Sequence, residues 1–204
     1  MSGRRIFLLS PANAGGERAA MLFRPGASFD LAVRLRAGGA PLGEAFAFIS
    51  GLYFRGKLAY AQAFAAPPPD VPGSFVITSG LGLVPPETVV TIDHLRQIAA
   101  VPIDADEPRY REPLERGCRT LVELAGEDCD FVLLGSVATV KYLAPMTGVF
   151  GDRLLFPEEF IGRGDMSRGG LMLRCARGGQ ELTYKPVGVA TQHGPRPPKL
   201  PKLR

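Results

Sequence analysis

Apolar residues along this chain follow two spacings. Short continuous runs occupy residues 5–10 (RIFLLS), 74–79 (SFVITS) and 130–134 (DFVLL). Each is too short for a helix, lacks the alternation of a half-exposed strand, and ends in Ser-Pro, Ser-Gly or Gly-Ser. Each therefore predicts a strand buried on both faces. A fourth, weaker run at 152–156 is closed by Pro157, which has no amide to donate. Between the runs the period becomes helical. Phe46, Ile49, Tyr53, Tyr60 and Phe64 share one face and predict helix across 46–64. Gly51 and Gly56 each cost about 1 kcal/mol relative to alanine inside a helix, so a break is expected between Ser50 and Gly56. Leu114, Cys118, Leu121, Val122 and Leu124 predict a second helix over 112–125, stopped by Gly126. Residues 137–143 predict a short helix directly after the third strand. Residues 84–111 read as a long loop interrupted by Pro85, Pro86, Pro102 and Pro108, with one helical turn near 94–99. In 170–186, two apolar stretches flank Gly178-Gly179, which is a hairpin signal.

Strands alternating with helices define the expected class: α/β, with a mainly parallel sheet flanked by helices and an appended C-terminal β-hairpin. With 204 residues, 46% hydrophobic and 22% charged, the chain suits one globular domain over 1–190 followed by a short tail. The formal charge is +4. Arg196, Lys199, Lys202 and Arg204 lie in 191–204, which holds no acid, so residues 1–190 are formally neutral. The positive charge thus belongs to a basic, proline-rich tail, which narrows the invitation to nucleic acid that a basic chain extends. Cys118, Cys129 and Cys175 are odd in number and not spaced as a zinc set, which predicts buried thiols in a reducing compartment. No apolar run approaches the roughly 18 residues of a membrane span, and residues 6–9 are too short for the core of a signal peptide. A cytoplasmic location, no membrane, no metal and no cofactor are the expectations; nothing in the pattern bears on oligomeric state.

Open parallel sheets bind ligands beyond the carboxyl ends of their strands. Those ends carry Ser10-Pro11-Ala12-Asn13, Ser79-Gly80-Leu81-Gly82 and Gly135-Ser136. Ser136 either caps the next helix or offers its hydroxyl, with the helix amides, to an anion. A hydrolase triad built on Asp93-His94 fits poorly: Gly135-Ser136-Val137-Ala138 lacks the second glycine of a nucleophile elbow, and adjacent Asp and His do not orient one another as triad partners. Glycine-rich residues 160–170 place Arg163 and Arg168 where a backbone approaches a ligand closely, so either a phosphate-contacting loop or a plain surface connection fits.

The order of three motifs carries a resemblance. An apolar strand enters Ser10-Pro11-Ala12-Asn13; Gly51-Leu52-Tyr53-Phe54-Arg55-Gly56-Lys57 follows; then comes Ser79-Gly80-Leu81-Gly82-Leu83-Val84-Pro85-Pro86. Over roughly residues 5–145 this layout resembles the YaaA-like peroxide-stress proteins and related uncharacterised bacterial α/β domains. Where that family has lysine after Ser-Pro-Ala, this chain has Asn13. The resemblance implies an α/β fold, DNA binding and a role in limiting oxidative damage, and it carries weight onto Ser10, Tyr53, Gly56, Lys57, Ser79, Gly82 and Leu83. Tyr53 also fits an apolar helix face, Gly82 a turn and Leu83 the core.

The candidate ligand-binding residues are therefore Ser10, Asn13, Tyr53, Lys57, Ser79, Gly82, Ser136, Arg163 and Arg168; none is given a catalytic role. The expected function is a YaaA-like nucleic-acid- or nucleotide-binding protein, acting on a nucleobase or in DNA-damage and oxidative-stress protection. The alternative is a small-molecule hydrolase or transferase using the same strand-end pocket. A third reading takes Pro198-Lys199-Leu200-Pro201 as a P-x-x-P peptide ligand.

Overall fold

The computed structural model describes residues 3–136 and 140–189, together with residues 194, 197, 198 and 200. In chain order the elements are β1 (Arg4–Leu9), α1 (Glu17–Phe23), α2 (Asp30–Ala37), β2 (Ala40–Pro41), α3 (Leu42–Ser50) and α4 (Leu52–Phe64). Then come β3 (Ser74–Thr78), β4 (Gly82–Val84), β5 (Val89–Val90), α5 (Ile92–Ala99) and α6 (Pro108–Ala125). The C-terminal part comprises β6 (Cys129–Leu134), α7 (Val140–Phe150), β7 (Leu154–Pro157), α8 (Asp165–Gly178) and β8 (Tyr184–Pro186).

The continuous apolar runs do what their pattern requires. In the six-stranded sheet, ordered β4-β3-β1-β6-β7-β8, β1 is hydrogen-bonded to parallel neighbours on both sides, and from Ile6 to Leu9 its side chains are buried on both faces. Phe7 and Leu9 point into a core shared with α3, α4 and α8, while Ile6 and Leu8 point into a second core shared with α6 and α7. β7 extends the parallel set, and β4 and β8 close the two edges antiparallel. The architecture is thus α/β, a mainly parallel mixed sheet between helical layers, ending in an antiparallel strand pair.

That terminal pair is not the local hairpin expected within 170–186. Residues 171–176 lie inside α8, and β8 pairs with β7 across the intervening helix. Gly178-Gly179 ends the helix, with Gly179 at φ +63°, the left-handed C-cap that glycine provides without a Cβ penalty. The expected break in 46–64 falls at Gly51, also left-handed at φ +61°, which turns the chain between α3 and α4. The long loop of 84–111 is more ordered than its prolines suggest. It holds β5 and α5, whose start is fixed by a reciprocal cap: Thr91 Oγ1 accepts from the His94 amide, and the Thr91 amide donates to His94 Nδ1. α6 begins at Pro108, since proline at the first helical position needs no amide partner. The helix expected at 137–143 is found as α7 from Val140; residues 137–139 lie outside those described.

Candidate functional site

Because β1, β3 and β6 are parallel and in register, with Leu9 beside both Val76 and Leu134, their carboxyl ends share one edge. That places Ser10, Ser79 and Ser136 on the same side of the sheet, the first two buried and the third half-buried. Ser10 leaves the central strand with its amide donating to Leu134 O at 3.3 Å. Gly135 packs against it: a Cβ at that position would lie 2.9 Å from Ser10 Cβ and 3.1 Å from Oγ, so only glycine leaves the hydroxyl its space.

α4 supplies the second component. Its buried face runs through Tyr53, Lys57, Tyr60 and Ala61 at helical spacing. That stripe sets a lysine among aromatic rings at the end of β1. Lys57 is fully buried, and its Nζ lies 2.9 Å from Ser10 O and 2.7 Å from Ser10 Oγ. The Tyr53 ring centroid is 3.9 Å from Nζ and that of Phe54 5.4 Å away. Burial disfavours the ammonium and lowers the Lys57 pKa to about 7; Asp165 opposes this shift and Arg168 reinforces it.

α8 brings Asp165 and Arg168 to the cluster by a close helix crossing. A Cβ on Gly56 would sit 2.7 Å from Gly169 O, and one on Gly169 would sit 2.8 Å from Leu52 O and Tyr53 Cα. The glycines allow backbone-to-backbone packing, and they deliver Arg168 beside Tyr53. The guanidinium donates through Nε and Nη2 to Phe160 O, both at 3.2 Å, and Nη1 lies 3.7 Å from Asp165. The Tyr53 hydroxyl completes the cluster. It is buried without a hydrogen-bond partner among the described residues; Ser10 and Arg168 flank it without reaching bonding geometry, and burial pushes its pKa up to about 12.

Beside Ser10, Pro11, Asn13 and Ser79 line a recess of about 280 Å³, completed by Ile98, Val101 and Pro102 after α5. Asn13 itself is exposed, its Oδ1 accepting from the Gly15 amide at 3.2 Å. Gly82 stands apart from the cluster. It turns the chain into β4 at φ +71° and packs on α6, where a Cβ would lie 2.4 Å from Pro113 O. Arg163 also stands apart: it donates to Glu159 O and Ser167 Oγ, and borders a groove of about 880 Å³ whose other wall includes Pro197, Pro198 and Leu200 of the tail. Of the nine expected residues, the fold therefore gathers Ser10, Tyr53, Lys57 and Arg168, with Asn13, Ser79 and Ser136 along the same edge. Asp165 and Gly135 were not among the nine candidates, although Gly135 was named at the third strand's end. The helical reading of 165–168, which puts Asp165 one turn before Arg168, would have exposed the first.

His94 caps α5, and Asp93 pairs with Arg96 at 2.9 Å, so neither serves a triad. Cys118, Cys129 and Cys175 are buried free thiols, and burial raises all three pKa values. Among the described residues no cluster of His, Cys, Asp and Glu is arranged to hold a metal, and no helix is long and apolar enough to cross a membrane. Comparison with protein-family models, with curated proteins and with solved structures finds no match for this chain.

Proposed function

We propose that the strand-end cluster is the binding site for a nucleotide or a nucleotide-like small molecule bearing a phosphate or carboxylate. The observation that carries this reading is the Tyr53 hydroxyl, buried between Ser10 and Arg168 without a hydrogen-bond partner among the described residues. An orphaned buried hydroxyl costs about 1–3 kcal/mol, and a ligand oxygen placed there recovers that cost. The surrounding charge agrees. Lys57 and Arg168 converge, while the nearby carboxylate, Asp165, has a side chain 69% exposed to solvent. An anion would restore the lysine's full charge. The recess that begins at Pro11, next along the chain from Ser10, is large enough for one ring-sized group, and Asn13 and Ser79 are among its lining.

Titration with inorganic phosphate and a panel of nucleoside monophosphates tests the reading. Tyr53→Phe and Arg168→Gln are each expected to weaken binding, the latter by roughly 1.5–3 kcal/mol for a charged hydrogen bond. Affinity unchanged in both variants would place the ligand elsewhere.

Nucleic acid is a second reading, supported by the YaaA-like motif order and by the charge carried in 191–204. Residues 191–204 carry four basic side chains and no acid while residues 1–190 are formally neutral, so the tail is the stronger electrostatic element. Four phosphate contacts from it would give a log–log salt slope of about −3.6 on duplex DNA. Truncation after residue 190 should remove that slope; binding that survives truncation would return the interface to the globular body.

A further inference from the structure

We infer that Ser10 and Lys57 form a nucleophile–base pair that transfers the acyl group of an ester or thioester to water. The inference rests on reading the strand-end cluster as a ligand site and goes beyond binding to a reaction. Three features of the geometry carry it. Lys57 Nζ is held by two atoms of one residue, at 2.9 Å from Ser10 O and 2.7 Å from Ser10 Oγ. The carbonyl accepts only, so Nζ donates one N–H to it and is thereby oriented; in the neutral amine the lone pair then faces Oγ–H, as a general base must. Full burial favours that neutral form near pH 7. Gly135 leaves Oγ room that a Cβ would take.

The third feature concerns the developing negative charge. In a nucleophile elbow the residue after the serine gives its amide to the oxyanion. Here that residue is Pro11, which has no N–H. Side chains beside Ser10 offer donors instead: the Tyr53 hydroxyl has no hydrogen-bond partner among the described residues, and the Arg168 guanidinium lies next to it.

The step balances as follows. Ser10 Oγ bonds to the acyl carbon as its proton passes to Lys57 Nζ, and the carbonyl π pair moves onto oxygen, which is received by Tyr53 and Arg168. The carbonyl reforms as the carbon–oxygen or carbon–sulfur bond breaks, and the leaving alcohol or thiol takes the proton from the lysine ammonium. Water then attacks the acyl-serine with the same base. It releases a carboxylic acid and restores both side chains.

The groups facing Lys57 are Ser10 from β1, Tyr53 and Phe54 from α4, and Asp165 and Arg168 from α8. Among them, Asp165 and the two ring faces favour the charged amine, while burial and Arg168 oppose it, so acylation is expected to rise through neutrality. The full chain is treated with a fluorophosphonate probe across pH 5.5 to 9, and adduct formation is followed by peptide mass spectrometry. An adduct on Ser10 is expected, its rate rising about tenfold per pH unit below the lysine's pKa and levelling above it. Lys57→Met should cut the rate by at least about 100-fold, in the range of general-base contributions, and Tyr53→Phe should slow p-nitrophenyl acetate turnover. Should Lys57→Met fail to fold, the wild-type pH profile decides. Absence of a Ser10 adduct, a flat profile, or equal labelling of folded Lys57→Met overturns the inference. Phosphate binding measured in parallel separates the two ideas: phosphate bound without Ser10 labelling overturns the reaction and leaves the ligand site, whereas Ser10 labelling without phosphate affinity upholds the reaction and overturns the proposed ligand class.

Discussion

Tyr53 and Tyr60 project from the same side of α4, two turns apart, and their surroundings differ in kind. Tyr60 is fully satisfied. Its hydroxyl accepts from the Leu182 amide at 2.8 Å and lies 2.7 Å from Tyr184 Oη. Tyr184 donates in turn to Glu181 at 2.7 Å, so the proton between the tyrosines belongs to Tyr60, and Glu181 pairs with Arg5 at 3.0 Å. Burial raises the Tyr60 pKa, and the chain of bonds anchors residues 181–184 to β1 and α4. Tyr53 is also buried but has no hydrogen-bond partner among the described residues, and it covers a fully buried lysine. One end of the helix is built as a latch, closed on itself. The other keeps a donor with no partner among the described residues and an amine with its pKa near neutrality, the features on which the proposed ligand site rests.

The largest expected effect separates the two ends by pH. Lys57 has a folded pKa near 7, below its ordinary 10.5, so between those values the unfolded chain binds the proton and the folded chain does not. The Lys57 contribution to stability therefore rises with pH through that window, by at most about 5 kcal/mol at 1.36 kcal/mol per unit. The penalty for burying the charge is fully present below pH 7. Urea unfolding from pH 6 to 10 should show this slope in the wild type and lose it in Lys57→Met; equal slopes would mean that the lysine stays charged in the fold.

Next in size is the latch. Tyr60→Phe leaves the Leu182 amide and the Tyr184 hydroxyl short of a partner and should cost about 1–3 kcal/mol, read as a lower urea midpoint. Gly169→Ala should cost a similar amount, about 1–3 kcal/mol, by forcing α4 and α8 apart. It should also weaken phosphate binding, because Arg168 moves with α8. The smallest effect is the most diagnostic. Tyr53→Phe removes a hydroxyl that has no hydrogen-bond partner among the described residues, so stability should stay within about 0.5 kcal/mol of wild type or rise while ligand affinity falls. A loss like that of Tyr60→Phe would make Tyr53 a second latch.

The strands and their serine ends were legible because runs such as 5–10 and 130–134 have no exposed positions to confuse the pattern, and parallel pairing then forces their ends to one edge. The break at Gly51 and the stop at Gly126 were legible because both need left-handed backbone. α8 was not. Its Leu171–Ala176 stretch between glycine pairs matches a hairpin locally, and only the crossing with α4 shows that Gly169 serves close packing and Gly179 a cap. The Ser10–Lys57 contact was also beyond the pattern: both residues were candidates, but the 47-residue separation is closed by the way α4 lies over β1, which no spacing encodes. The latch went unseen for the same reason, since Tyr60 and Tyr184 are 124 residues apart.

The state of Lys57 decides the rest. The chain's lysines are Lys57, Lys141, Lys185, Lys199 and Lys202, few enough for each Cε to be followed by NMR in protein labelled with ¹³C at that position. The Lys57 resonance, assigned by its loss in Lys57→Met, should titrate with a midpoint near 7. Addition of phosphate should move that midpoint upward, because an anion beside Tyr53 and Arg168 favours the ammonium. A Lys57 midpoint near its ordinary 10.5, unmoved by phosphate, would contradict a neutral amine poised against Ser10.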